Sequence, residues 1–274
     1  MSKTIKPLNN EELRIQAPSL FQDQPYHEVS DKYHFIPTID IVEQLRNEFG
    51  WYPVAVCQSD VKSLDKDGFQ QHYVRFQNFS DLINPSDNVV ELLLFNSHDR
   101  SKSFTISAGI YRYICSNGLV IADSVFDSYK IKHLGDREND VANAVSRITQ
   151  VKPKLLSKIS KFENIILNQD EKEAFLQSAI PLRFKDHLEL DNPNDLLAPL
   201  RAEDMKNDIY TTLNVLQENF LSSKITGYNK DTGRRFTSKE ITSISKDIEI
   251  NKGLWDIAER IASIKDSSYE SIAA

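Results

Sequence analysis

The chain has 274 residues, 40% hydrophobic and 27% charged, which is enough for one large core or two modest ones. Eight glycines and ten prolines exclude a low-complexity or collagen-like chain. A net charge of −7 with a pI near 5.5 argues against a protein held to nucleic acid by overall charge alone, since phosphate neutralisation needs clustered Lys and Arg.

Residues 1–30 are polar, with scattered Asn, Gln and Pro, and read as an arm that packs partially or not at all. The stretch TIDIVEQLRNEFG (38–50) predicts a helix, with Ile41, Leu45 and Phe49 at i, i+4 and i+8, Thr38 as N-cap and Gly50 as the stop. Residues 51–62 and 69–79 are strand-like and joined by the turn-rich SLDKDG, and 89–96 and 103–115 add two more strands. Ser116, Asn117 and Gly118 then form a hairpin turn before LVIA, because Asn-Gly tolerates the positive φ of a type I′ turn. A short strand at 127–134 leads into a helical region, 138–180, in which Pro153 is expected to kink the helix or start a second one. Helices at 201–222 and 253–268 follow, separated by TGYNKDTGRRFTSKE, an exposed basic loop or hairpin.

This order predicts an α+β fold: an antiparallel meander sheet from about 51 to 134, backed by long helices, with a mainly helical C-terminal part. Three regions are expected: an arm at 1–30, a core at 31–185 and a helical region at 186–274 packed on it. The expected core includes Ile41, Leu45, Phe49, Val54, Val56, Leu92, Leu94, Ile106, Ile110, Val145, Ile148, Leu155 and Ile159.

Few residue clusters carry chemistry. Ser97, His98 and Asp99 are triad residue types, but consecutive side chains cannot place an imidazole between hydroxyl and carboxylate. A structural role is expected instead. Asn96 closes the strand end and the Asp99 carboxylate accepts backbone N–H bonds within its own turn. Asn96–Asp99 and Ser116–Gly118 should lie at opposite ends of one strand, too far apart to share a site unless Gly109 bends it. His72, His98, His133, Cys57 and Cys115 show no metal-ligand spacing, and the two cysteines read as free buried thiols of a reducing compartment. With no P-loop and no GxGxxG, neither a cofactor nor a catalytic residue is expected. No apolar run approaches the roughly 18 residues that span a bilayer. The first residues also lack an apolar signal core, so a cytoplasmic location and no membrane partner are expected.

One electrostatic feature rises above background. Between Asn143 and Phe162 there are five basic residues and no acid, and Arg147, Lys154, Lys158 and Lys161 fall on one helical stripe. Lys130 and Lys132 alternate just upstream, and Arg234 and Arg235 form a second basic spot. Such a run is commonly a solvated face. As a functional surface it would track a phosphate backbone, with Tyr111 or Tyr113 as a stacking face.

The stretch FNSHDRSKSFTISAGIYRYICSNGLVI resembles the signature of the phage/plasmid-like protein family, domain of unknown function 932. HYVRF, KIKHLG, LNVLQENF, TGRRF and INKGLW are similar to that family's later blocks, whereas Arg100 stands where a small residue or Gly is expected. The resemblance implies a mobile-element context in a bacterial host but no mechanism. The order helix, FGW, β-meander and long basic helix is also similar to the Rad52-like single-strand annealing proteins, a likeness of fold alone. It implies a homo-oligomer and a groove flanked by Arg112, Lys130, Lys132, Arg147, Lys154 and Lys158. The leading expectation is therefore a non-enzymatic protein that binds or anneals single-stranded nucleic acid. The alternative is a protein-interaction module that inhibits a host defence or DNA-metabolism protein, which suits the acidic balance.

Overall fold

The computed structural model describes residues 5–29, 35–61, 63–101, 103–112, 118–120, 129–130, 137–222 and 224–272. They divide into two compact units, Met1–Lys154 and Leu155–Ala274. The boundary lies inside a helix rather than at the expected 30/31 and 185/186 positions.

In the first unit, helix α1 (Asn10–Gln16) starts with a capping box. The Asn9 side chain accepts from the Glu12 N–H, and the Glu12 carboxylate accepts from the Asn9 N–H. A 3-10 turn, Pro18–Phe21, follows. Leu13, Ala17, Leu20 and Tyr26 are all buried, so this stretch is a packed part of the unit and not a loose arm. Its apolar residues are too widely spaced to give a periodic signal. Helix α2 (Thr38–Phe49) buries Ile41, Val42 and Leu45 and ends at Gly50, whose φ of 65° is left-handed. Thr38 is its first residue rather than its cap, and the side chain is used elsewhere.

The sheet runs β1 (Trp51–Gln58), β2 (His72–Asn78), β3 (Asn88–Asn96) and β4 (Thr105–Arg112), all antiparallel. Two short strands, β5 (Gly118–Val120) and β6 (Tyr129–Lys130), pair with different parts of β4. Gly118 lies within β5, opposite Tyr111, rather than in the turn; Ser116, Asn117, Cys115 and Tyr113 lie outside the described residues. The alternation of β strands puts Val74, Phe76, Leu92, Leu94, Ile106 and Ile110 on one face and Arg75, Gln77, Glu91 and Tyr111 on the other. Of the expected core, Phe49, Val54 and Val56 are only half-buried. β1 is an edge strand, and a bulge between Pro53 and Ala55 interrupts its alternation. A short helix, α3 (Phe79–Ile83), capped by Asn78, follows β2 and was not foreseen.

Helix α4 (Arg137–Asn164) continues through Pro153, which is exposed. An interior proline removes its own N–H bond and crowds the carbonyl one turn back, and the helix accommodates both here. The break comes after Asn164, where Asn168 and Glu171 make a capping box for α5 (Gln169–Arg183).

In the second unit, α6 (Ile209–Leu221) begins at Asp208, whose carboxylate accepts from the Thr211 N–H at 2.7 Å. Residues 201–208, expected to be helical, hold only a 3-10 turn. Helix α6 is buried almost all round, and α7 (Ile244–Ile272) starts well before the expected 253. Trp255 of α7 packs on Phe162 at 5.1 Å between ring centroids. The basic segment forms a hairpin in a small sheet, β7 (Leu188–Leu190), β8 (Thr226–Asn229) and β9 (Arg235–Thr237). The Asn229 side chain accepts from the Asp231 and Thr232 N–H groups to shape its turn.

Candidate functional site

Asn96, Ser97 and His98 are fully buried at the end of β3, and Asn96 and His98 join a polar network. Asn96 Nδ2 donates to Thr38 Oγ1 at 2.9 Å. Thr38 Oγ1 also lies 2.9 Å from His72 Nε2 and 3.4 Å from His98 Nε2. His72 Nδ1 sits 2.8 Å from Ser19 Oγ and 3.1 Å from the Gln70 carbonyl. Burial first, and then the charge of His98, pushes His72 down from 6.5 to about 3, so both its nitrogens serve a neutral ring. Asp99 accepts from the Ser101 N–H at 2.9 Å and pairs with Lys66 at 3.5 Å. Burial raises its pKa, but the bonds from Ser101 and Ser97 outweigh it and hold the carboxyl below the usual range. The motif therefore has the geometry of a strand-end anchor. Because consecutive residues bury different partners, it cannot assemble a triad.

A second network lies on the opposite face. Arg75 grips Glu91 with two bonds, 2.6 and 3.0 Å, and Gln77 Nε2 donates to the same carboxylate at 2.8 Å. Glu91 is 1% exposed. The Arg75 guanidinium stacks 4.4 Å from the Tyr111 ring centre, so Tyr111 packs on protein and offers no free face for a base. Burial opposes the Arg75 charge, but the Glu91 carboxylate outweighs it, and the pKa lies above the ordinary arginine value. The sequence reading missed this pair, although a signal was present: one arginine and one glutamate interrupt neighbouring strands, and such charges are rarely buried unless paired.

The residues expected to contact nucleic acid are scattered. Arg112 is buried, at 7% exposed, in the last position of β4. Lys130 contributes backbone to β6, but its side chain, like all of Lys132, lies outside the described residues. Arg147 and Lys154 are exposed on α4. Lys158 pairs with Glu259 and Lys161 with Asp266, both on α7. Their neighbour Lys152 reaches both oxygens of Asp81 at 2.7 Å. Arg234 is exposed, and Arg235 makes two bonds to Asp191, at 2.7 and 3.1 Å. The structure thus assembles no continuous track from these groups among the described residues.

Among the described residues the second unit has two small clefts, about 190 Å³ beside Asn219 and Lys224 and about 220 Å³ beside Met205 and Thr212. Both fall short of the roughly 300 Å³ usual for small-molecule sites. Among the described residues no cluster of His, Cys, Asp and Glu could hold a metal, and no helix is long and apolar enough to cross a membrane.

The chain is 28% identical over 256 residues to the UPF0380 protein YafZ of Escherichia coli (strain K12), covering 93% of this chain and 92% of that one. The UPF0380 protein YfjQ of the same organism matches to the same extent. No solved structure matches, so the likeness to Rad52-like annealing proteins gains no support, although helix, meander and long helix do occur in that order. The profile described as "Domain of unknown function (DUF932)" covers residues 25–255, and the chain belongs to that family.

Proposed function

We propose that the chain is a non-catalytic binding protein whose partner is another protein, in keeping with a mobile-element factor that engages a host defence or DNA-metabolism protein in the bacterial cytoplasm. The observation that carries this reading is the use of the α4 cations. Lys152, Lys158 and Lys161 are each held by a carboxylate of the same chain, which leaves their charges compensated before any ligand arrives. Neither unit is basic: residues 1–154 hold 17 basic and 20 acidic side chains, and residues 155–274 hold 16 and 20. A phosphate track would need several uncompensated cations in line. A protein partner needs an apolar patch with a polar rim. Phe79 and Ile83, 54% and 58% exposed, lie one turn apart on α3 with Tyr52 beside them, 5.9 Å between the Tyr52 and Phe79 rings.

Binding of single-stranded nucleic acid is the second reading, favoured by the exposure of Arg147 and Lys154 on one helix. Fluorescence anisotropy with a labelled single-stranded oligonucleotide at low salt separates the two. The protein-binding reading expects no saturable binding. Salt-dependent binding that disappears in the Arg147→Glu/Lys154→Glu variant would replace it with the second.

A further inference from the structure

The second unit exposes few large apolar side chains, and they gather in one region. Among its described residues they are Ile166, Leu200, Met205 and Ile264, from 59% to 69% exposed. Ile166 forms an antiparallel bridge with Asp208, and the next residue, Leu167, donates its N–H to the Asn207 carbonyl at 2.7 Å. These contacts set Ile166 beside the short segment that carries Met205. Lys265 Nζ donates to the Ile166 carbonyl at 2.9 Å, which brings its neighbour Ile264 to the same region. Leu200 follows Pro199, and Pro199 and Met205 both line the cleft of about 220 Å³.

That cleft takes apolar walls from Leu197, Pro199, Met205 and Val215. An apolar cavity of ~150 Å³ holds a benzene ring, so about 220 Å³ suits one large side chain and little more. Lys172 and Lys206 belong to the same lining. The Lys172 ammonium donates to Asn207 Oδ1 at 2.6 Å, a neutral amide that leaves its charge unbalanced. Lys206 is exposed and, among the described residues, meets no carboxylate. The buried acids nearby are spent within the fold. Asp204, 4% exposed, is held by Arg201, and Asp208, 1% exposed, accepts from the Thr211 N–H and hydroxyl at 2.7 and 2.8 Å. Asp170 and Glu203 are exposed but lie outside the lining.

Resting on the reading of the chain as a protein-binding one, we infer that this face of the second unit docks an acidic peptide segment. One bulky apolar side chain of the segment fills the cleft, and carboxylates beside it meet Lys172 and Lys206. An anchor seated in a pocket concentrates binding energy in few residues, and the surrounding apolar contacts exclude water. The flexible Met205 side chain in the wall lets the cleft take leucine, isoleucine or phenylalanine. The two cations steer capture and select against basic segments, so binding weakens as salt is added.

Selection of a random dodecapeptide library, displayed on phage, against the whole chain tests this. Recovered peptides should share one bulky apolar residue with Asp or Glu close to it in sequence. Labelled synthetic copies should bind about tenfold more weakly, or worse, to Met205→Asp, which places a carboxylate in the cleft wall, and about tenfold more weakly to Lys172→Glu/Lys206→Glu. The three positions are exposed or half-buried, so circular dichroism should show both variants folded. Peptides without acids, or peptides that bind either variant as tightly as the unaltered chain, would overturn the proposal. Peptides lost with Phe79→Asp and kept with Met205→Asp would also overturn it, while leaving the protein-binding reading in force on the first unit. No enrichment would overturn it too, and saturable oligonucleotide binding would then mark the failure as that of the reading itself. A dimer in sedimentation equilibrium that Met205→Asp abolishes would give the face to a second copy of the chain instead.

Discussion

Charge reversal at Lys158 separates a cation held by its own fold from one kept for a ligand. The Lys158 side chain is 31% exposed and its partner Glu259 is 25% exposed, so the pair is only partly screened by water. Glu259 also accepts from Trp255 Nε1 at 3.1 Å, which fixes the carboxylate in place. Exposed ion pairs contribute about 0.2–1 kcal/mol, and this geometry belongs in the upper half of that range. Lys158→Glu removes the attraction and adds a repulsion of similar size, so the expected loss is about 1–1.5 kcal/mol. Lys154→Glu, on an exposed position of the same helix, should stay within about ±0.5 kcal/mol. Urea denaturation followed by Trp255 fluorescence, in a Trp51→Phe background, reads the difference as a shift of midpoint at constant slope. The swapped pair Lys158→Glu/Glu259→Lys should recover only about half of the loss, since replacing Glu259 removes the acceptor of Trp255 Nε1. Equal losses for Lys158→Glu and Lys154→Glu, or no recovery in the swap, would refute the reasoning and return Lys158 to the set of ligand-ready cations.

Glu91→Ala should cost about 3–5 kcal/mol in denaturant titrations, because Arg75 is left buried and uncompensated. The apolar pair Arg75→Met/Glu91→Leu should be close to neutral, and a double variant as unstable as Glu91→Ala would contradict that. Gly227→Ala should destabilise the small sheet by at least 1–3 kcal/mol, since its Cβ would lie 2.1 Å from the Glu189 carbonyl oxygen, a backbone atom that cannot turn aside. Wild-type midpoints for Gly227→Ala would show that β7 and β8 can part at little cost. Ser19→Ala should loosen residues 5–29 in hydrogen exchange at pH 7.5 without altering β3, as it deletes the hydroxyl that meets His72 Nδ1.

Strand order and the α2 boundary were legible because each rests on local chemistry: two-residue alternation, and Gly50 in a left-handed conformation. Thr38 misled because its hydroxyl, a good cap in isolation, is drawn into a tertiary network with His72 and His98. Pro153 does not start a second helix, since burial of Ile148, Val151 and Leu155 along one face holds α4 through the lost hydrogen bond. The basic run was incompletely legible as a surface. The acids that meet Lys152, Lys158 and Lys161, namely Asp81, Glu259 and Asp266, are far away in sequence, and helical periodicity carries no information about them. The His72 network was hidden for the same reason: Ser19, Thr38, His72 and Asn96 come from four separate segments.

The two buried polar networks occupy opposite faces of the same pair of strands, β2 and β3. Sliding β3 by one residue would turn Glu91 toward the apolar side and Asn96 away from Thr38 in a single move. Sliding by two would keep the faces, but one direction separates Glu91 from Arg75 and leaves both charges buried alone, and the other carries Asn96 away from His72 and Thr38. Aliphatic pairs such as Val74 with Leu94 would accept either slip at small cost. Arg75, Glu91 and Asn96 therefore act as a two-sided key to alignment, selecting one pairing of the meander from several that hydrophobicity alone would leave nearly equal.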